Sequence, residues 1–145
     1  MHLSQEAISP IARDSIQLLM QDGNIEVEGL RIADAEMDLS AIMREYLTNE
    51  ERVNQATREA LERRGIDPSK SDQVKREMAD VRGFKLGDEG IAHVIDQMVE
   101  FLLLSRNVEE VFASDDVLRG KLRAVMAKHL RDEPPRSPDS GSGPG

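Results

Sequence analysis

At 145 residues the chain has room for one domain with its own core, and without a single cysteine that core is held by packing alone, with no disulfide or thiolate metal site. Its 28 acidic and 19 basic residues leave a net charge of -9, a field that repels phosphate backbones and anionic lipid, so bulk nucleic-acid or membrane binding is disfavoured. The charge is uneven, however: up to Thr57 there are 4 basic and 11 acidic residues, Arg58 to Lys85 holds 8 and 6, and the remainder 7 and 11.

Taking the chain in order, MHLSQEAISPIARD has no basic flank followed by an apolar run, so no signal peptide is read there and a cytoplasmic location is expected. Ser9-Pro10 reads as an N-cap with proline at the first helical position, where a missing N–H is harmless and the ring presets φ. Ile11, Ala12, Ile16, Leu18, Leu19 and Met20 then form an apolar face, and Gly23 suits the left-handed residue that follows a last turn. Ile25 to Asp38 reads as a connector with one helical turn, because IEVE alternates like a strand for few residues and has no evident partner. From about Asp38 to Arg64 a long helix is expected, with Leu39, Tyr46, Val53 and Ala60 spaced by seven as along a coiled-coil seam. Gly65 ends it, and Asp67-Pro68 restarts the chain as a cap and first-turn pair. Lys70 to Arg82 carries Val74, Met78 and Val81 on one stripe. The short connection predicts an antiparallel helical hairpin within 39–82 that projects from the core.

Gly83 to Gly87 forms a tight joint into a central helix expected from about Asp88 to Ser105. Within it Ile91 to Leu104, IAHVIDQMVEFLLL, is the most apolar stretch of the chain. On a helix its apolar residues cover nearly the whole circumference, leaving His93, Asp96, Gln97 and Glu100 as a narrow polar stripe, so other helices should wrap it. Gly90 stands where a better helix former is expected and weakens the first turn. Asn107 to Glu110 reads as a capping box opening a short turn, and Ser114 caps a last helix ending in Lys128, His129 and Arg131. Gly120 inside that helix reads as a close-packing point. The Pro-, Gly- and Ser-rich residues 133–145 have nothing to bury and are expected to be disordered.

Sliding the chain on itself by 83 positions aligns Ile8–Leu47 with Ile91–Leu130 without a gap. Identities fall at Ile8/Ile91, Leu19/Leu102, Asn24/Asn107, Glu26/Glu109, Leu39/Leu122, Ala41/Ala124, Met43/Met126 and Leu47/Leu130. The matches recur at helical core spacing, and the shared Asn, aliphatic, Glu run adds to them, so an internal duplication is expected. The fold class that follows is all-α: residues 1–132 as one compact helical bundle with a two-fold internal repeat and a projecting hairpin.

Three patterns invite a chemical reading, and each has a plainer alternative. Glu89, His93, Asp96 and Glu100 lie along one helical face at ligand-like spacing, but a single helix supplying every ligand makes a poor metal site, so a solvated stripe is preferred and no metal or cofactor is assigned. Gly83, Gly87 and Gly90 before a helix, with Lys85 nearby, suggest a phosphate cradle; Asp88 and Glu89 already occupy the positive helix end, which favours a simple joint. Arg58, Arg63, Arg64, Lys70, Lys75, Arg76, Arg82 and Lys85 cluster around the hairpin. The plain reading is a charged surface laced by Glu59, Glu62, Asp72, Glu77 and Asp80, and the pointed one is a docking surface. No nucleophile, base and orienter set is recognisable.

The segments GNIEVE (Gly23–Glu28), REYL (Arg44–Leu47), LERRG (Leu61–Gly65), VKREMADVRGFKLGDE (Val74–Glu89) and NVEEVFASDDVLRGKL (Asn107–Leu122) together resemble the bacterial family catalogued as domain of unknown function 507. The resemblance spans nearly all of the chain before the tail and implies a small all-helical protein. It brings no activity, ligand or catalytic residue. The residues themselves point to a non-enzymatic protein-interaction or adaptor module contacting its partner through Arg63, Arg64, Lys75 and Arg76, with a homodimer among the expected states. RNA or ribosome association through the same basic hairpin is the alternative, and a metal-dependent enzyme built on His93 is third.

Overall fold

Helical periodicity reaches further upstream than Ser9-Pro10 suggests. A computed structural model describes residues 2–130, so Arg131, the outer edge of the expected domain and the tail at 133–145 lie outside them. Helix α1 runs Gln5–Gln21 with Pro10 inside it, which corrects the reading of Ser9 as its cap. Leu3, Ala7 and Ile8 are all buried. Burying an Ile or Leu side chain contributes about 1.5–3 kcal/mol, comparable to the roughly 3 kcal/mol that an interior proline costs, so the earlier start survives. The helix ends as expected: Gly23 has φ 72° and the Asn24 N–H donates to the Leu19 carbonyl at 2.8 Å.

The connector read at Ile25 to Asp38 is instead a strand, a turn and the start of a helix. Strand β1, Ile25–Glu26, pairs antiparallel with β2, Glu110–Val111, placing Ile25 opposite Val111 and Glu26 opposite Glu110. The ladder is extended by Glu109 N–H to Glu26 O and Phe112 N–H to Asn24 O, both 2.8 Å. The capping box read at Asn107–Glu110 is thereby corrected, because this backbone is used in the ladder. The Asn107 side chain donates to Asp38 Oδ2 at 2.8 Å, and its N–H donates to Ser105 Oγ at 2.9 Å.

A 3₁₀ turn at Gly29–Arg31 feeds directly into α2, Ile32–Arg64. At 1.5 Å per residue this single rod is about 50 Å long. Leu39, Tyr46, Val53 and Ala60 are all buried, and Gly65 ends the helix with φ 63°. Asp67 Oδ1 accepts from the Ser69 N–H at 3.0 Å before α3, Ser71–Arg82, which packs against α2. Its buried residues are Val74 and Ala79, while Val81 is 81% exposed. The expected stripe of Val74, Met78 and Val81 is thus turned toward Ala79.

Helix α4, Gly87–Leu104, buries Gly90, Ile91, Val94, Ile95, Met98, Val99 and Leu102. Leu103 and Leu104 are 46% and 76% exposed, so the central helix is covered on one broad face and is not wrapped. Helix α5, Asp115–His129, is capped by Ser114 Oγ, which accepts from the Val117 N–H at 3.3 Å. Gly120 is exposed, and an added Cβ would meet nothing within 4 Å, which corrects its reading as a close-packing point.

The fold is an all-helical bundle carrying one small β ladder. Helices α1, α4, α5 and the first half of α2 share the main core, in which Ile11, Leu39, Met43, Val94, Met98, Leu118 and Leu122 have no exposed surface. Val53, Ala60, Val74 and Ala79 are buried outside that cluster, where α3 covers α2. Across the surface, Lys121 meets Asp22 at 2.6 Å, His129 meets Asp14 at 2.8 Å and Arg119 donates to Asp96 at 2.8 Å. The Asp96 carboxylate holds the Arg119 pKa above its ordinary value; such exposed pairs contribute little to stability. Among the described residues no helix is long and apolar enough to cross a membrane.

One core position works against the fold. Ser15 has no exposed surface and its Oγ has no hydrogen-bond partner among the described residues, so its desolvation is uncompensated there. Ser15→Ala is expected to raise stability by about 1 kcal/mol, read as a higher urea midpoint with an unchanged slope. An equal loss would show that the hydroxyl is satisfied.

Candidate functional site

The four residues expected to carry partner contacts sit where α2 ends and α3 begins its return. Arg63 and Arg64 occupy the last turn of α2, and Lys75 and Arg76 lie on α3. Arg63, Arg64 and Arg76 are exposed, and Lys75 is half-buried. The expected lacing by carboxylates is thin. Arg64 reaches Glu77 at 3.9 Å, and Arg58 is held by Glu51 at 3.1 Å and Gln55 at 2.6 Å. Arg63, Lys75 and Arg76 have no carboxylate within 4.0 Å among the described residues.

At the root of this arm, where the middle of α2 meets the α3–α4 joint and α4, lies a cleft of about 270 Å³. One wall is an aromatic pair, Tyr46 buried and Phe84 half-buried. Tyr46 and Phe84 stack with centroids 4.8 Å apart and planes at 27°, and Tyr46 Oη donates to the Lys85 carbonyl at 2.9 Å. Gly83 and Gly87, with φ 68° and 61°, bracket the joint that presents Phe84 and Lys85. Gly90 lets the parts meet: a Cβ there would collide with the Tyr46 hydroxyl and stand 2.5 Å from the Lys85 carbonyl oxygen. The glycine thus trades helix propensity for close approach, a reason the sequence alone did not disclose.

Arg52, Arg82 and Lys85 line this cleft together with Glu45 and His93. Arg52 makes one long contact, 3.4 Å to Asn49 Oδ1. None of the three cations has a carboxylate within 4.0 Å among the described residues. Sequence reasoning did not assemble this group, because its members are scattered over three elements. The available signals were the misplaced glycine at 90 and Phe84 as an aromatic beside the basic cluster.

The weak metal candidates do not converge. Among the described residues no three His, Asp or Glu side chains stand close enough to hold a metal. Asp96 is bonded to Arg119, His93 faces the cleft, and Glu100 lines a separate open groove with Ile42, Phe101 and Leu104. Of the three glycines, Gly83 and Gly87 bracket the joint and Gly90 lies in the first turn of α4.

A family model described as protein of unknown function (DUF507) matches residues 1–134. Among curated proteins, none matches the chain.

Proposed function

The chain belongs to the DUF507 family, whose function is unknown, and from the geometry of this member we propose a non-enzymatic protein-interaction module whose contact arm is a hairpin of α2 and α3. The proposal starts from how little of the arm the core requires. The buried positions of α1 are Ala7, Ile8, Ile11, Ala12, Ser15, Ile16 and Leu19; shifted by the 83-residue offset of the sequence repeat they become the buried positions of α4, Gly90, Ile91, Val94, Ile95, Met98, Val99 and Leu102. Helices α2 and α5 begin at Ile32 and Asp115, the same offset apart, and β1 and β2 come from matching connectors. This agreement supports a duplicated helix–strand–helix unit, each half completing the core of the other. On that reading the second half of α2, α3 and the joint belong to neither half.

A segment that the core does not need, carrying more basic than acidic residues on an acidic chain, suits an acidic protein surface. Electrostatic complementarity of this kind governs encounter and register more than raw affinity. The observation that carries the reading is the set of cations, Arg63, Lys75 and Arg76, with no carboxylate within 4.0 Å among the described residues. A second copy of the chain, acidic in its body, is one partner of that chemistry.

The test is crosslinking mass spectrometry on the full chain in native cytoplasmic lysate, beside a variant carrying R63E, R64E, K75E and R76E. Crosslinks from Lys70 and Lys75 to one acidic protein are expected, lost in the variant while its helical circular dichroism and melting are unchanged. Crosslinks that survive the reversal would refute the arm as contact region. Loss of the partner on nuclease treatment, with binding that falls steeply with salt, would transfer the arm to RNA.

A further inference from the structure

We propose that the cleft at the root of the arm binds a small phosphate monoester carrying a flat ring, a ligand of mononucleotide size. The inference is independent of what the arm's tip contacts. It begins with charge. Arg52, Arg82 and Lys85 against Glu45 leave the lining two positive charges in excess, and a phosphate monoester carries about -1.5 to -2 at pH 7, so the dianion neutralises the site where a lone carboxylate would leave a cation over. Planar guanidinium donors match phosphate oxygens in pairs.

Acidic partners were not scarce. Arg58, Arg64, Arg119 and Lys121 all reach a carboxylate, while the three cleft cations reach none within 4.0 Å among the described residues. The aromatic wall is the second, independent observation. Tyr46 and Phe84 are stacked and held through the Lys85 carbonyl, and the arrangement exists only because position 90 lacks a side chain. Tyr46 is 8% exposed and Phe84 half-buried, so Phe84 supplies the aromatic surface for a ring and Tyr46, packed on it, holds it in place, which lowers the cost of binding. The volume of about 270 Å³ lies just below the usual span of ligand pockets, roughly 300–1,000 Å³, and so favours a single small ester over a dinucleotide.

The experiment titrates the full chain with adenosine 5′-monophosphate, inorganic phosphate and adenosine, followed by calorimetry and amide chemical shifts. Saturable one-site binding of the monophosphate is expected, about tenfold or more tighter than adenosine, with shifts centred on Phe84, Lys85 and His93. Arg82→Gln with Lys85→Gln should weaken it about tenfold or more, and Glu45→Gln should tighten it. Arg63→Gln with Arg76→Gln, neither of which lines the cleft, should leave it unchanged. Adenosine binding as well as its phosphate, no shifts from either phosphate at about 5 mM, or equal sensitivity to that last variant would each overturn the assignment.

Discussion

Replacing Gly90 with alanine is expected to destabilise the protein by about 1–3 kcal/mol, the usual cost of overpacking, although helix propensity alone favours alanine by about 0.8–1 kcal/mol. The added Cβ collides with the Tyr46 hydroxyl and comes within 2.5 Å of the Lys85 carbonyl oxygen and 2.8 Å of Tyr46 Cζ. A ring that is only 8% exposed has little room to retreat, and a carbonyl in the backbone of the joint has less. The hydrogen bond from Tyr46 to Lys85 is then strained or lost, at a further cost of about 0.5–1.5 kcal/mol. Because the chain has one tyrosine and no tryptophan, intrinsic fluorescence reports on this ring directly. In Tyr46→Phe the closest clash disappears, so G90A should cost less in that background, and the double-mutant cycle should give a coupling of about 0.5–3 kcal/mol. If G90A instead raises the urea midpoint, the cleft wall is pliant and its preorganisation fails with it.

The same glycine marks how far the sequence could be read. Helices α1, α2 and α4 announce themselves through apolar periodicity, and their ends through Gly23, Gly65 and Gly87, each with positive φ. These signals are local: one turn of helix senses the next. Pro10 misled because its local meaning as a start signal was overridden by the burial of Ala7 and Ile8, which depends on helices elsewhere. The strand at Ile25–Glu26 was rejected for want of a partner, and the partner, Glu110–Val111, lies beyond three intervening helices where no window of sequence reaches.

The candidate site divides along the same line. Arg63 and Arg64 are neighbours, Lys75 and Arg76 are neighbours, and the exposure of Arg63, Arg64 and Arg76 follows from a polar helix face, which local sequence discloses. It does not disclose the cleft. Arg52, Arg82 and His93 come together only when the joint at Gly83 to Gly87 folds back on the middle of α2, a tertiary event. Periodicity also overstated the sheathing of α4. An apolar circumference shows that burial would be favourable, and among the described residues no helix covers Leu103 and Leu104.

The relation between the two halves leads to the last expected result. Leu39→Ala and Leu122→Ala remove leucines that stand 83 positions apart, as the proposed duplication pairs them, each with no exposed surface, and each should cost about 2–5 kcal/mol in lost transfer energy and residual cavity. Against a total stability of about 5–15 kcal/mol, either variant should melt far below the parent, and the pair together should fail to show a cooperative transition. If the proposed duplication holds, the two costs should agree to within about 1 kcal/mol, since cost depends on how far a site can collapse and duplicated halves would give both sites similar walls. Val74→Ala behaves differently on this reasoning, because Val74 is buried outside the main cluster. Its loss should speed amide exchange in α3 and the end of α2 while the slowest-exchanging amides of α1 and α4 keep their protection, as expected of a sub-global opening. Should Val74→Ala lower the protection of α1 and α4 by the same amount, the arm and the bundle form one cooperative unit, and the account of the arm as an addition to a self-sufficient core is wrong.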